Sequence, residues 1–316
     1  MATDDSVDPT EKERMEKEFE ECCNDYGKAI DEGRHQDAEG IAMRMMQLAM
    51  FRSMNEEPTQ DLIWKQMAGE CEERGNWAGA EEALKNALAL DQEREKREFA
   101  MKTHLDLASL YELLGRREEQ MAQIEVAVEI TRNSEITVLR TMALEAKAKA
   151  LLANGDPVAA KVVARDAVDG TPDDKLHELM KARVLVLLAR CEALLGDLDS
   201  AERALNQALG LTRVYSDNKF MGGVQSFYAG AAEARAVIHN ARGEKKEAAA
   251  AFGEVVSRLR AIGGQLHLQG PRSSYRLARA LKAYATYLEW ADRPAEAAEA
   301  RKESEEILCR IQIPVS

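Results

Sequence analysis

Apolar residues recur along most of the chain at intervals of three and four residues, which is the spacing of one face of an α-helix. The stretch around Gly75 shows this pattern on both sides of the glycine: Trp64, Met67, Ala68 and Cys71 before it, and Ala80, Leu84 and Ala87 after it. Such a pattern predicts two amphipathic helices joined by a tight turn, in which the glycine takes the left-handed conformation that ends the first helix.

The same turn, here called a corner, is repeated through the sequence. A glycine followed five residues later by alanine occurs at Gly33, Gly75, Gly155, Gly196 and Gly243. Two related corners each differ at one position. Gln120 replaces the alanine five residues after Gly115, and Asp292 replaces the glycine five residues before Ala297. Successive corners are 40 to 49 residues apart. Such a regular period predicts a helical repeat protein.

We therefore expect an all-α fold of about seven antiparallel helix pairs within residues 16–312. The pairs are expected at residues 16–54, 59–93, 98–133, 136–172, 174–214, 220–262 and 273–312. Residues 1–15 are rich in acidic side chains and are expected to form a flexible leader, and residues 313–316 a short tail.

The residue order within each repeat resembles the tetratricopeptide-repeat (TPR) family, whose pattern places small and large apolar residues around a corner glycine. The fifth repeat matches it with Leu185, Leu188, Ala189, Gly196, Ala201, Leu205 and Ala208. The period exceeds the common one of about 34 residues, so the chain is similar to the long-repeat branch that includes kinesin light chains and bacterial peptide-sensing regulators. The resemblance implies a right-handed α-solenoid, and it does not identify a partner.

Composition and charge narrow the class of partner. The formal net charge of −13 repels phosphate groups, so we expect neither nucleic-acid nor membrane binding. The 5 cysteines are scattered and include no CxxC pair, which favours a reducing compartment. The amino terminus lacks the pattern of a signal peptide, and we expect a cytoplasmic protein.

The sequence contains no constellation of catalytic or metal-binding residues that we can identify. The histidines His35, His104, His177, His239 and His267 lie in separate repeats or turns. Asp197 and Asp199 lack the further ligands of a calcium loop, because Ala201 interrupts the pattern. We expect no enzyme activity, no cofactor and no metal site.

The resemblance implies that the first helix of each pair lines a concave groove in which ligands of the family lie. Counting back from the corners gives the expected partner-binding residues: Lys102, Leu105, Met142, Glu145, Lys149, Leu152, Arg183, Val186, Arg190, Glu233, Arg279 and Lys282. Their bases favour an acidic partner, unless the glutamates of the same face neutralise them. Their apolar members favour an amphipathic helix.

The leading hypothesis is a non-catalytic scaffold or adaptor that binds a peptide or helix of another protein in this groove. The alternatives are a self-associating structural protein, including a homodimer through an end of the solenoid, and a peptide-sensing regulator. The apolar carboxyl end is expected to pack back on the array or to self-associate. Residues 212–223 and 261–274 are either partner-contacting loops or longer helices with looser turns, and the methionine-rich residues 41–54 are expected to form a core stripe.

Overall fold

The computed structural model describes residues 9–32, 59–93, 97–134, 136–175, 177–213, 222–263 and 270–312, together with positions 37, 41, 44 and 48. These residues form α-helices and no β-strand, which confirms the predicted fold class. The helices are α1 (Pro9–Asp31), α2 (Gln60–Glu73), α3 (Trp77–Glu93), α4 (Arg97–Leu113), α5 (Arg117–Thr131), α6 (Thr137–Ala153), α7 (Pro157–Gly170), α8 (Glu178–Leu194), α9 (Leu198–Leu211), α10 (Gly222–Ala241), α11 (Lys245–Gly263), α12 (Pro271–Trp290) and α13 (Pro294–Arg310).

The chain divides into two compact units, residues 1–63 and 64–316. In the first unit, helix α1 covers Pro9–Asp31. Residues 9–15 of the expected flexible leader are therefore helical. The Gly33 corner and most of the methionine-rich residues 41–54 lie outside the described residues.

The second unit is a solenoid of consecutive helix pairs, in which each even-numbered helix from α2 to α12 is followed by its antiparallel partner. The even-numbered helices are called first helices below. Each first helix from α4 to α12 also packs on the preceding pair, and α8 packs directly on α10. Residues 214–221 and 264–269, which belong to the two stretches expected to be loops or longer helices, lie outside the described residues.

The corners have the backbone conformation that the sequence predicts. Gly75, Gly115, Gly155, Gly196 and Gly243 have φ angles between 70° and 85°. Asp292, the predicted substitute for glycine, has a φ of 61°.

Two of the corners also contain an aspartate that caps the second helix of the pair. The Asp156 carboxylate accepts a hydrogen bond from the Ala159 amide at 2.9 Å, and the Asp197 carboxylate accepts one from the Ser200 amide at 3.2 Å. These caps satisfy amides that the first turn of a helix leaves unpaired. Asp197 is thus a structural part of its corner.

The alanine five residues after the corner lies where the two helices of a pair come closest. Ala80, Ala160, Ala201, Ala248 and Ala297 are all fully buried. A larger side chain would force the helices apart in an interior that is already close-packed. The corner and its buried alanine therefore set the geometry of these five pairs, whereas Gln120 occupies the alanine position between α4 and α5.

The two ends of the second unit are in contact. The Trp77 indole N–H donates a hydrogen bond to the main-chain oxygen of Gln312 at 3.0 Å. A Cβ atom at Gly75 would lie 3.0 Å from the Gln312 side-chain oxygen, so the corner and the carboxyl end fit closely. Tyr275 of α12 packs against the apolar cluster formed by α2, α3 and α4. The carboxyl end packs back on the array as far as Gln312, and residues 313–316 lie outside the described residues.

Candidate functional site

A set of ion pairs joins the first helices of different pairs. Arg183 of α8 pairs with Glu145 of α6, and Arg190 of α8 pairs with Glu233 of α10 at 2.6 Å. On α12, Arg272 reaches Glu72 of α2 and Arg279 reaches Glu112 of α4. First helices that exchange ion pairs across the array must share one surface. We call this surface of α2, α4, α6, α8, α10 and α12 the groove.

One end of the groove is closed by Arg272. Its guanidinium donates two hydrogen bonds to the Glu72 carboxylate, at 2.9 and 2.6 Å. Its Nη1 atom also lies 3.7 Å from the carboxylate of Asp106 on α4. Burial raises the pKa of Asp106, and the charge of Arg272 only partly opposes this effect. These contacts hold α12 opposite α2 and α4, although Glu72 and Arg272 are 200 residues apart.

The middle of the groove is organised around Glu145. This buried carboxylate accepts hydrogen bonds from Arg183 at 2.8 and 3.1 Å and from Lys149. Burial alone would raise its pKa, but the charges of Lys149 and Arg183 outweigh burial and lower it. Glu145 is therefore an anion held by two bases, both of which keep part of their surface open to the groove.

Beyond the Arg190–Glu233 pair the groove becomes aromatic. A cleft of about 470 Å³ is lined by Asn240, Ala283, Thr286, Tyr287 and Trp290. The Tyr287 ring stacks on Phe252 with its centroid at 4.8 Å, and the Lys245 ammonium lies 5.3 Å from the Trp290 ring. Burial raises the pKa of Tyr287, so its hydroxyl stays neutral and available as a hydrogen-bond donor.

One face of α12 runs along the whole groove. The face begins with bases and ends with aromatic side chains: Arg272, Arg276, Arg279, Ala283, Tyr287 and Trp290. The side chain of Arg276 donates a hydrogen bond to the Ser226 hydroxyl at 3.1 Å. Reasoning from the sequence missed Arg276, although its spacing of four and three residues from Arg272 and Arg279 is the helical spacing that marks a common face.

Comparison with solved structures identifies proteins of similar fold. No protein-family model matches the sequence, and no curated protein matches it either. The solved apo form of RapI matches with a TM-score of 0.59 and 13% identity, over 93% of this chain and 99% of that chain. A Rap protein complexed with competence and sporulation factor matches with a TM-score of 0.50 and 14% identity, over 95% and 99% of the two chains.

The protein has a TPR fold. At such low sequence identities the similarity concerns the fold alone. The recurrent glycine and alanine of this chain occupy the corners of that fold. The corners supply the geometry, and a fold alone does not determine what its groove binds.

Most of the partner-binding residues expected from their distance to the corners lie on first helices and have accessible side chains. Lys102 and Lys282 are exposed, and the Lys102 ammonium lies 5.9 Å from the Phe99 ring. Leu105, Met142 and Leu152 are half-buried, and Leu105 and Leu152 pack against core clusters. The bases expected to attract an acidic partner are largely paired with glutamates, as the alternative interpretation holds: Lys149 and Arg183 with Glu145, Arg190 with Glu233, and Arg279 with Glu112.

The expectation for Val186 is corrected by the structure. This side chain is 3% exposed and packs in the core between α8 and α10, where a Cβ atom at Gly230 would lie 3.5 Å from it. Helix α8 is in the middle of the array and is covered on two sides by α6 and α10. Only a narrow strip of α8 is therefore open, and Val186 is not a groove residue.

The part of the chain that the structure describes contains neither a metal-binding cluster nor a membrane-spanning helix. No group of three or more His, Cys, Asp or Glu side chains there could hold a metal ion. Within the same residues, no helix of the TPR array or of the first unit is long and apolar enough to cross a membrane.

Proposed function

We propose that the protein is a non-catalytic interaction scaffold that binds a peptide or an amphipathic helix of a partner protein in the groove. The observation that carries this proposal is the position of α12. Because α12 lies opposite α2 and α4, the groove has walls on two sides, and its side chains change from charged to aromatic along one direction. Such a surface suits a segment of chain with both charged and apolar side chains.

The paired bases of the groove remain accessible to a ligand. The Lys149, Arg183 and Arg279 side chains are 51%, 41% and 50% exposed. Arg279 and Glu112 are both exposed, and an exposed ion pair contributes only about 0 to 1 kcal/mol, so a ligand carboxylate competes with Glu112 at little cost. Lys149 and Arg183 instead contact a ligand through their exposed atoms while they stay paired with the buried Glu145. The proposed partner-binding residues with accessible side chains are Lys102, Met142, Lys149, Arg183, Arg190, Glu233, Arg279 and Lys282.

Two further points support the proposal. One of the Rap structures that this chain resembles was solved in complex with competence and sporulation factor, so a related fold holds a ligand. Among the described residues, the cysteines Cys71, Cys191 and Cys309 are free thiols, which suits the proposed cytoplasmic location.

Selection from a random peptide library tests the proposal without knowledge of the natural partner. Purified protein is expected to enrich a family of related peptides. The double variant Arg183→Glu/Arg190→Glu is expected to bind these peptides at least tenfold more weakly. Arg203→Glu, an exposed base on a second helix, is the control and is expected to retain them. Enriched peptides that bind all three proteins equally, or no enrichment at all, contradict groove binding.

Self-association is a second candidate function, favoured by an exposed apolar pair. Val158 and Val162 of α7 are four residues apart and 61% and 67% exposed. Side chains at this spacing share one face of a helix, and a second copy of the chain could cover them. The molar mass from light scattering is then expected to rise with concentration, and Val162→Asp to abolish the rise. A constant monomer mass up to about 100 μM contradicts this candidate.

A further inference from the structure

Bases outnumber acids in the middle of the groove. The bases of this region are Lys149, Arg183, Arg190, Arg276 and Arg279, and its acids are Glu112, Glu145 and Glu233. The protein as a whole has a formal net charge of −13. A local excess of positive charge within an acidic protein is therefore a distinctive feature of this surface.

All three of these acids form ion pairs with bases other than Arg276. Glu112 is bound by Arg279, Glu233 by Arg190, and Glu145 by Arg183 and Lys149. Among the described residues, Arg276 forms no ion pair, and its one hydrogen bond goes to the Ser226 hydroxyl at 3.1 Å. The side chain is exposed to solvent in the groove, so a ligand can reach its guanidinium.

The electrostatic surroundings of Arg276 favour an added anion. The helices that form the walls of the groove desolvate the Arg276 guanidinium although part of its side chain is open to solvent, and this desolvation lowers its pKa; the charge of Arg183 adds to the effect, while Glu112, Glu233 and Glu145 oppose it. Desolvation also lowers the pKa of the partly open Lys149, where Glu145 opposes the effect and the charges of Arg183 and Arg276 add to it. An anion between α12 and the helices α6 and α8 would relieve the repulsion among these three bases.

We propose that Arg276, together with Lys149 and Arg183 across the groove, binds a side-chain carboxylate of an acidic peptide. The inference rests on the proposed function and names the chemistry of the partner. A guanidinium offers a carboxylate two parallel hydrogen bonds, and Lys149 and Arg183 add charge from the opposite wall. A carboxylate fits better than a phosphate dianion, because Glu112, Glu145 and Glu233 repel a second negative charge in the same space.

The geometry of α12 also sets the spacing of the peptide. Arg276 and Tyr287 are separated by eleven residues of one helix, which is about 16 Å at 1.5 Å per residue. An extended peptide covers that distance with about five residues at roughly 3.3 Å each. Because side chains of an extended peptide alternate between two faces, the ligand carries an apolar side chain for the aromatic cleft an even number of residues, about four or six, from its acidic side chain.

Fluorescence anisotropy with two synthetic peptides tests this inference. The first peptide carries a glutamate and leucines four and six residues away on a Gly/Ser background, and the second replaces the glutamate with glutamine. The glutamate peptide is expected to bind about tenfold more tightly, which is the discrimination expected of one charge-assisted contact. Arg276→Gln is expected to abolish that difference, and Arg276→Lys to keep part of it.

Arg203→Gln is the matched control, because Arg203 also donates a single hydrogen bond to a serine hydroxyl, that of Ser200 at 2.8 Å. It is expected to leave both affinities within twofold. Lys149→Gln provides an independent variant, expected to weaken the glutamate peptide three- to tenfold. Circular dichroism establishes that each variant is folded.

Three results overturn the inference: equal affinity of the two peptides, an undiminished difference in both Arg276→Gln and Lys149→Gln, or displacement of the peptide by inorganic phosphate at constant ionic strength. The last result would assign the site to phosphate. The peptide-library selection described above distinguishes failure of the carboxylate site from failure of the proposed groove binding. If the enriched peptides are neutral but still depend on Arg183 and Arg190, groove binding stands and the carboxylate site does not.

Discussion

The contact between Glu72 and Arg272 yields the sharpest stability prediction. Glu72 is 8% exposed and accepts two hydrogen bonds from Arg272, which is 36% exposed. Substitution of Arg272 by leucine would leave a buried carboxylate without its guanidinium partner. Substitution of both residues by leucine would remove the carboxylate as well.

The expected magnitude follows from the burial of the two partners. Breaking a fully buried ion pair costs about 3 to 5 kcal/mol, whereas exposed pairs contribute about 0 to 1 kcal/mol. Because Arg272 is partly open to water, Arg272→Leu is expected to lower the free energy of unfolding by about 2 kcal/mol. The double variant is expected to lose no more than the single one, since it contains no unpaired buried charge. The coupling energy of the pair is then about 1 to 2 kcal/mol.

Urea unfolding of the four proteins of this double-mutant cycle measures the coupling. Hydrogen exchange of the amides in α12 identifies where the effect occurs, and these amides are expected to exchange faster in Arg272→Leu. The pair Arg260–Glu303 is exposed and joins α11 to α13, so it is a suitable control cycle with a coupling below about 0.5 kcal/mol. Additive effects at Glu72 and Arg272, with unchanged exchange in α12, would refute the reasoning that this pair closes the groove.

Three further predictions concern the corners and one acid. Asp292→Gly is expected to raise the melting temperature by about 2 °C, because glycine relieves the cost of a φ of 61° at that corner; an unchanged or lower value would count against strain there. Trp77→Phe removes the hydrogen bond to Gln312 and is expected to cost about 1 kcal/mol in urea unfolding, together with faster proteolysis of the carboxyl end. Burial alone would raise the pKa of Glu81, but hydrogen bonds from Lys85, Arg116 and Tyr111 lower it to about 2. Because that pKa is below the unfolded value of 4.5, Glu81 stabilises the fold above about pH 4.5 and loses this effect as the pH falls toward 2. Glu81→Gln is therefore expected to reduce the acid dependence of stability by about 1 to 2 kcal/mol, and a parallel pH profile in the variant would contradict the assignment.

The helix pairs could be predicted from the sequence because their determinants are local. A glycine with positive φ, an aspartate cap and a buried alanine each act within one corner, and the glycine and the alanine recur at most corners. Even the exception could be predicted, since Asp292 stands at the glycine position and takes the left-handed conformation that aspartate tolerates better than most residues.

The site could be predicted only in part, because the groove depends on how far each pair rotates relative to the next. Offsets from the corner correctly placed Lys149, Arg183 and Arg190 on first helices, but the same offsets placed Val186 in the groove. Packing of α10 on α8 covers Val186, and nothing in the sequence of α8 alone reports that contact. Arg276 was missed for a similar reason, since the glutamates and bases around it come from four other helices.

Closure of the groove by α12 couples the stability of the array to its ligand. In an open solenoid the last first helix would contact only its neighbours, and its bases would face solvent. Here Arg272 and Arg279 bind acids on α2 and α4, and Arg276 is thereby held across from α6 and α8. A ligand that binds between these walls binds the closed arrangement more tightly than an open one, so it must stabilise the Glu72–Arg272 contact. By linkage, that contact must strengthen the binding of the ligand by the same free energy. Arg272→Leu should therefore weaken the glutamate peptide although Arg272 is not proposed to touch it, and the peptide should slow hydrogen exchange in α12 by a matching amount.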